Sequence, residues 1–260
     1  MVDVRELQER AARALPAEHV RDVGGWLLRL APGSSWWVQT VLPHGEVGAD
    51  DLVRKVVEAE EFYAGHGASA RFQITPGVCP EGLDGVLGER GYRWESPVSL
   101  QVGVAADVLE RTSGPVGIRV DERPSGAWFD AWHAVRGGDV RSERNMIGRV
   151  DAPSAYVRAT VGDEVVAVGR AVAEAGWTGV FNMATLPEAR GRGAGRAVLG
   201  ALAGWAEARG AWRMYLQVEH GNDPALRLYG RAGFREVRAF HYRAAGAHVL
   251  DLQKAASGPG

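Results

Sequence analysis

The stretch Arg190–Leu199, RGRGAGRAVL, follows the mostly apolar run Val180–Ala189, VFNMATLPEA. Glycine allows backbone conformations that other residues avoid, and it lets the backbone approach a ligand closely. A helix start adds free N–H groups and the positive end of the helix dipole, which attract phosphate. We therefore predict a strand, a loop that binds phosphate or pyrophosphate, and a helix, with charge added by Arg190, Arg192 and Arg196.

Two familiar phosphate motifs do not match this loop. A Walker loop requires Lys and then Ser or Thr after its last glycine, and no lysine follows here. A dinucleotide fingerprint requires glycines at its first, third and sixth positions, but the sixth residue is Arg196 counted from Gly191 and Val198 counted from Gly193. On the loop alone, a turn without a ligand remains an alternative.

The residues around the loop alternate between strand and helix patterns. A helix capped by Ser125 precedes three strands, with turns at Gly162-Asp163 and near Ala175-Gly176. After the loop we predict a helix, a strand, a helix that begins at Asn222 or Asp223, and a last strand. This order and the loop together point to one fold family.

The arrangement resembles the GNAT superfamily of acetyl-CoA-dependent N-acetyltransferases. That family's pyrophosphate loop reads Gln/Arg-x-x-Gly-x-Gly/Ala, which RGRGAG matches with Arg190, Gly193 and Gly195. Downstream the family has an Asn after a strand, an Ala and a Tyr on the next helix, and then Gly-Phe. The matching residues are Asn222, Ala225, Tyr229 and Gly233-Phe234. The resemblance covers about residues 117–243 and implies an α+β (α/β) fold, with a mixed, mostly antiparallel sheet flanked by helices.

The first half resembles a degenerate copy of the same unit. The sequence 81–92, EGLDGVLGERGY, echoes 224–234, PALRLYGRAGF, and no glycine-rich phosphate loop occurs before residue 104. We therefore expect two GNAT-like domains in tandem, and we expect coenzyme binding to need only the second. The predicted units are a degenerate domain over 1–106, a catalytic domain over 107–250 and a flexible tail over 251–260. An unrelated α+β extension that shapes the acceptor site is the alternative for the first half.

Two local features of the first half are also predicted. A hairpin is expected to turn at Pro32-Gly33, which puts Trp36 and Trp37 on a strand with one side chain facing each way. The helix that follows is expected to be capped by Asp50 or Asp51.

The resemblance implies where the coenzyme binds. The strand before the loop pairs with the pantetheine arm through its backbone at Met183, Ala184 and Thr185. The loop residues hold the pyrophosphate, and they are Arg190, Gly191, Arg192, Gly193, Ala194, Gly195 and Arg196. Asn222 reaches the pantetheine side, although a plain helix cap explains it equally well.

The implied chemistry is attack of a neutral amine on a thioester. Tyr229 matches the family's general acid, which protonates the leaving thiolate; packing is its alternative role. A backbone N–H in the strand 183–185 stabilises the oxyanion. Glu219 and His220 are the nearest candidates for the base, with a solvated loop pair or a water chain as alternatives.

The acceptor is less defined. Trp128 and Trp132 share one face of a helix that borders the acceptor site in this family, and His133 follows them. A core stripe is the alternative. The acceptor is predicted to be a primary amine of a small molecule or peptide, acetylated through a ternary complex. A non-catalytic acyl-CoA sensor or interaction module on the same fold is the competing hypothesis.

Composition sets wider limits. The net charge of −2 does not favour nucleic-acid binding. Cys79 is the only cysteine, and the sequence shows neither a signal-peptide core nor an apolar run of roughly 18 residues. We expect a cytoplasmic protein with no membrane partner and no metal, and we leave a homodimer open.

Overall fold

The computed structural model describes residues 2–112 and 117–245, apart from the side chains of 49 and 50. The predicted tail 251–260 lies outside the described residues. Within them the α-helices are α1 (Val4–Ala14), α2 (Ala49–Ala64), α3 (Leu83–Glu89), α4 (Ala105–Thr112), α5 (Gly126–Arg136), α6 (Val140–Gly148), α7 (Ala194–Glu207) and α8 (Asp223–Arg231). Short 3-10 helices span Trp36–Val38 and Pro187–Ala189. The strands are β1 (His19–Val23), β2 (Trp26–Leu30), β3 (Val41–Pro43), β4 (Arg71–Ile74), β5 (Tyr92–Val104), β6 (Gly117–Asp121), β7 (Ser154–Val161), β8 (Glu164–Glu174), β9 (Trp177–Thr185), β10 (Arg213–Glu219) and β11 (Arg235–Ala245).

The strands of the described residues form one sheet of 11 strands, in the order β1-β2-β3-β4-β11-β5-β10-β9-β8-β7-β6. β3 and β4 run parallel, as do β9 and β10, and the other recorded pairs are antiparallel. The predicted mixed, mostly antiparallel sheet flanked by helices is confirmed. The three strands before the loop and their two turns also lie where the sequence placed them.

The two halves of the chain exchange strands in the middle of this sheet. β5 comes from the first half but lies between β10 and β11, pairing with β10 from Val104↔Arg213 to Val98↔Glu219. β11 comes from the second half and pairs with β4 of the first. The predicted division at residues 106 and 107 therefore falls within a continuous sheet and remains a prediction.

This interleaving of strands from the two halves matches the internal repeat in the sequence. The units β4–α3–β5 and β10–α8–β11 have the same order, and each first strand pairs antiparallel with the last strand of the other unit. Each first strand also has a parallel neighbour on its other side, β3 or β9. The shared pairing explains why similar sequences recur at 81–92 and 224–234.

Helices cover both faces of the sheet. Along β7, Ala155, Val157 and Ala159 pack with α7, whereas Tyr156 packs with α5. This alternation follows from the two-residue period of a strand. We call the two sides the α7 face and the α5 face; α1 packs on the α5 face, where it meets Tyr215 of β10.

Three local predictions for the first half were wrong or incomplete. The hairpin joins β1 to β2 and turns at Gly24-Gly25, where both φ angles are positive, as a type I′ turn requires. Trp36 and Trp37 consequently lie in a 3-10 helix and not in a strand. Gly48, not Asp50 or Asp51, is the N-cap of α2. In the second half, the helix α6 was not predicted from the sequence.

Candidate functional site

β9 and β10 diverge along their length. Their recorded pairing covers only Trp177↔Arg213, Thr178↔Met214 and Gly179↔Tyr215. β9 continues to Thr185 and β10 to Glu219. The later backbone of β9 therefore borders an opening on its β10 side, where an extended molecule can form strand-like hydrogen bonds.

A bulge reshapes β9 at this opening. Asn182 has a φ of 53°, and the register with β8 shifts between Val168 and Arg170. Beyond the bulge, Met183 packs on the α7 face and Ala184 on the α5 face. The Oδ1 atom of Asn182 is buried and has no hydrogen-bond partner among the described residues. The bulge thus separates the paired part of β9 from the part that lines the opening.

The glycine loop leads directly into α7. Gly191 and Gly193 have φ angles of 73° and 87°, which favour glycine, and Gly193 is the N-cap without a side-chain cap. A Cβ atom on Gly195 would lie 3.1 Å from Thr185 Oγ1, so the third glycine lets α7 start close against the end of β9. The first N–H groups of α7 are therefore left for another partner.

The charge at this helix start is positive. Arg190, Arg192 and Arg196 are exposed and form no ion pair with other described residues. Arg190 donates a weak hydrogen bond to the Thr185 carbonyl over 3.3 Å. The loop residues that the sequence singled out are therefore close together at one end of the opening.

The corresponding helix of the first half has the opposite charge. α2 follows β3 as α7 follows β9, but the sequence places Asp50 and Asp51 in its first turn. Carboxylates stabilise a helix N-terminus and repel a phosphate there. The preceding His44 is buried, 4% exposed, against Gln8 and Glu9. This physical difference supports a single anion site, in the second half.

α8 carries two of the predicted residues. The Oδ1 atom of Asn222 accepts a hydrogen bond from the Ala225 N–H over 3.3 Å, so its capping role is established. Tyr229 is 7% exposed and packs edge-on against Phe234, with ring centroids 5.9 Å apart. Burial raises the pKa of Tyr229 to about 12, opposed by the Arg136 guanidinium. The phenol is therefore protonated at neutral pH.

The two base candidates differ in their surroundings. Glu219 is exposed at the end of β10, opposite Val98 of β5, and its charge adds to burial in raising the pKa of Tyr242. His220 also follows the end of β10, and its Nε2 lies 3.2 Å from Glu236 Oε2. Of the two, only His220 pairs with another side chain among the described residues.

The predicted aromatic pair on α5 lies in the core. Trp128 and Trp132 are at most 2% exposed, and Trp128 Nε1 donates to the Gly169 carbonyl over 3.2 Å. His133 is exposed, with Nε2 3.1 Å from the Gly138 carbonyl oxygen. This burial favours packing over direct acceptor contact for both tryptophans.

A different aromatic group lies on the α5 face of the sheet. The Trp36 and Trp37 rings meet edge to face at 5.8 Å, and Trp36 lies 4.9 Å from the Tyr242 ring. The Arg71 guanidinium lies 4.4 Å from the Trp36 ring, and that of Arg136 lies 5.3 Å from the Trp37 ring. We call Trp36, Trp37, Arg71 and Arg136 the tryptophan rim.

The tryptophan rim is not among the residues that the sequence assigned to the site. The adjacent Trp36 and Trp37 are the only signal of it in the sequence, and the prediction there is a strand. Both indole rings are partly exposed in the 3-10 helix. Trp36 contacts Tyr242 of β11, and Trp37 packs against the same core cluster as Ala184 of β9, so the tryptophan rim lies beside the opening.

A separate cavity of about 570 Å³ opens at the other end of β5, β10 and β11. Trp177, Trp212, Arg213 and Phe234 are among its lining residues, and none of the predicted site residues lines it.

In the described part of the chain, no group of three or more His, Cys, Asp or Glu side chains is arranged to hold a metal. No described helix is long and apolar enough to cross a membrane.

The chain is similar in sequence and in fold to known acetyltransferases. The family model described as "Probable histone acetyltransferase Rv0428c C-terminal" matches residues 1–244. The chain belongs to this family of the GNAT superfamily. A family match across 1–244 includes both halves, so the first half is part of the family's common architecture. The predicted GNAT assignment and the acyl-CoA-dependent acetyltransferase class are thereby confirmed.

Individual GNAT relatives agree over nearly the whole chain. "Uncharacterized N-acetyltransferase YobR" of Bacillus subtilis is 28% identical over 253 residues, 94% of this chain and 99% of the relative. A GCN5-related N-acetyltransferase from Kribbella flavida has a TM-score of 0.73 at 19% identity, covering 96% of this chain and 99% of its own. A tandem GNAT protein from the clavulanic acid biosynthesis pathway has a TM-score of 0.64 at 11% identity, covering 95% and 86%. The tandem GNAT fold thus extends over both halves.

Proposed function

We propose that the protein transfers an acetyl group from acetyl-CoA to a primary amine of a small molecule or peptide, by direct attack in a ternary complex. One observation carries this proposal. The opening between β9 and β10 ends at an uncapped, arginine-bearing helix start. Its backbone edge suits the pantetheine amides, and its helix N-terminus suits a pyrophosphate.

Each part of the coenzyme has candidate contacts. The N–H groups of Gly191–Arg196 receive the pyrophosphate, and Arg190, Arg192 and Arg196 add positive charge. The backbone of Met183–Thr185 pairs with the pantetheine arm. Asn222 approaches the same arm through the part of its amide that does not cap α8.

In the proposed complex, the thioester of acetyl-CoA lies beside Tyr229. The neutral amine attacks the thioester carbonyl, and a β9 backbone N–H stabilises the tetrahedral oxyanion. As that intermediate collapses, the C–S bond breaks and Tyr229 protonates the sulfur of the leaving coenzyme A. The amine loses its proton to Glu219 or to water. At neutral pH the Tyr229 phenol carries the proton that this step needs, and its raised pKa makes it a weaker acid than a solvated tyrosine.

A non-catalytic acyl-CoA sensor is the second candidate. It is favoured by the sequence of β9, WTGVFNMAT, which carries no carboxylate beside the opening. The carboxylate candidate for the base is instead Glu219, which is exposed at the end of β10. Sensor and enzyme share the coenzyme site and differ only in turnover.

The first half is proposed to shape the acceptor side of the site. Trp36 and Trp37 belong to it, and so does β5, which carries Val98 opposite Glu219. This proposal is closer to the alternative of an acceptor-shaping extension than to an independent domain, although the repeat also supports a degenerate GNAT-like unit.

Three measurements test the function, two of coenzyme binding and one of turnover. Mass spectrometry under native conditions reports bound coenzyme A, and acetyl-CoA is expected to raise the melting temperature. A panel of amines is then screened by release of the coenzyme thiol. Binding with turnover supports the enzyme, binding without turnover supports the sensor, and absence of binding contradicts both.

A further inference from the structure

Two guanidinium groups on the α5 face, those of Arg136 and Arg170, form no ion pair with another described residue. Arg136 is exposed and lies over Trp37, and it forms no ion pair with another described residue. Arg170 of β8 is 0% exposed, and its guanidinium lies 5.4 Å from the Phe181 ring of β9. Arg170 therefore lies beside β9 just before its bulge, whereas Arg136 lies at the surface beside Trp37.

Arg170 is also incompletely hydrogen-bonded. Its Nη2 donates to the Ala14 carbonyl, whereas Nε and Nη1 are buried without partners among the described residues. Burial lowers the pKa of Arg170 to about 10, and the charge of buried Glu143 opposes this, so the protein itself partly compensates the guanidinium.

Two carboxylates near this face have hydrogen-bond or ion-pair partners within the protein, and neither of them pairs with Arg136. Glu143 is buried, and its Oε1 accepts from the Ser35 N–H and hydroxyl over 3.1 and 2.7 Å. Glu95 pairs with Arg71 over 3.3 Å. Glu219 is exposed at the end of β10, on the Tyr242 side of the tryptophan rim. Arg136 therefore remains exposed beside Trp37 without a carboxylate partner among the described residues.

We propose that the acceptor amine also carries a carboxylate, which the Arg136 guanidinium receives over Trp37. This inference rests on the proposed acetyl transfer. A guanidinium binds a carboxylate through paired hydrogen bonds and stacks on an aromatic face at the same time. The amine lies towards Glu219, and an apolar side chain lies on the indole rings. The acceptor class is thus an amino acid with an apolar or aromatic side chain.

Matched acceptor pairs test the carboxylate. L-tryptophan, L-phenylalanine and L-leucine are each compared with their carboxamides, which retain size and amine but carry no negative charge. We expect kcat/KM at least about tenfold higher for the acids, the usual scale for losing a charged hydrogen bond. The less basic carboxamide amines are more often neutral, which biases the comparison against the proposal. Equal or better rates with the carboxamides would overturn it.

Two variants assign the effect to the tryptophan rim. Arg136→Gln is expected to raise KM for the acids about tenfold, to leave KM for the carboxamides unchanged and to retain the stabilisation by acetyl-CoA. Arg144→Gln is the matched control, because Arg144 is also exposed and lies 4.5 Å from the Phe129 ring. It is expected to change neither KM. Equal losses in both variants, or in both acceptor classes, would contradict a specific carboxylate site.

A binding measurement separates this inference from the proposed function. With coenzyme A bound, L-tryptophan is expected to raise the melting temperature of the wild type, and L-tryptophanamide and the Arg136→Gln variant are expected to show a smaller rise. If acetyl-CoA binds, no amine is acetylated and this difference persists, the carboxylate site stands and acetyl transfer fails. If the difference is absent, the carboxylate site is wrong whether or not other amines are acetylated.

Discussion

Val98 of the first half pairs with Glu219 of the second, at the end of β10 where the candidate site opens. The same residue pairs on its other side with Phe240 of β11. A strand from the first half therefore forms part of the support of the site, and it lies between two strands that follow the glycine loop in sequence.

This pairing leads to a prediction about the isolated second half. Residues 104–260 lack almost all of β5, which leaves β10 and β11 without their common neighbour and exposes two strand edges. We expect this fragment to aggregate or to melt without a cooperative transition, and to show no stabilisation by acetyl-CoA. The sequence had led us to expect independent coenzyme binding. Calorimetry of the fragment, alone and co-expressed with residues 1–112, measures the difference; a soluble fragment stabilised by acetyl-CoA would support the earlier expectation.

Gly193 tests the phosphate loop. Gly193→Asp places a negative charge at the N-cap of α7, where the pyrophosphate is proposed to bind, and is expected to abolish the rise in melting temperature with acetyl-CoA. Gly193→Asn is the matched control, because asparagine has nearly the same size, is uncharged and tolerates a positive φ. The Asn variant is expected to retain most of the rise. If both variants keep the full shift, the loop does not bind the coenzyme.

Tyr229 tests the general acid. Tyr229→Phe keeps the ring against Phe234 and removes only the hydroxyl group, so we expect kcat to fall roughly 10²–10⁴-fold with little change in acetyl-CoA affinity. Steady-state kinetics and thermal shifts provide the two readouts. An unchanged kcat would leave Tyr229 as a packing residue.

The raised pKa of Tyr229 also predicts how kcat depends on pH. An acid must be protonated to act, and burial raises the pKa of Tyr229 to about 12, which extends its active form to higher pH. Ionisation of Tyr229 is therefore expected not to lower the wild-type kcat between about pH 7 and pH 10, an interval that lies below the raised pKa. A decrease in this interval that is absent in Tyr229→Phe would show that the phenol ionises at a lower pH than its burial implies.

Glu219 and His220 test the base as a pair. Glu219→Gln is expected to lower kcat/KM roughly 10²-fold or more, because the amide cannot accept the amine proton. His220→Gln is the control, since His220 interacts with Glu236 at the surface. Equal, small effects in both variants would favour a water chain as the proton acceptor.

Much of the second half could be predicted from local sequence. The Gly162-Asp163 and Ala175-Gly176 turns, the Ser125 and Asn222 caps and the loop before α7 each depend on residues close in sequence. The first hairpin was misplaced because both Gly24-Gly25 and Pro32-Gly33 are acceptable turns, and local preference does not choose between them.

The sequence by itself determined the family, the glycine loop and the helix start, since glycine conformations and free N–H groups need only about ten consecutive residues. Tertiary structure alone decided that β5 enters between β10 and β11 and that Arg136 lies over Trp37. Alternation along a strand specifies which side chains share a face, but not which strand becomes the neighbour. Partners separated by about a hundred residues are selected by the packing of the whole sheet, and the acceptor side of the site was therefore beyond the reach of local patterns.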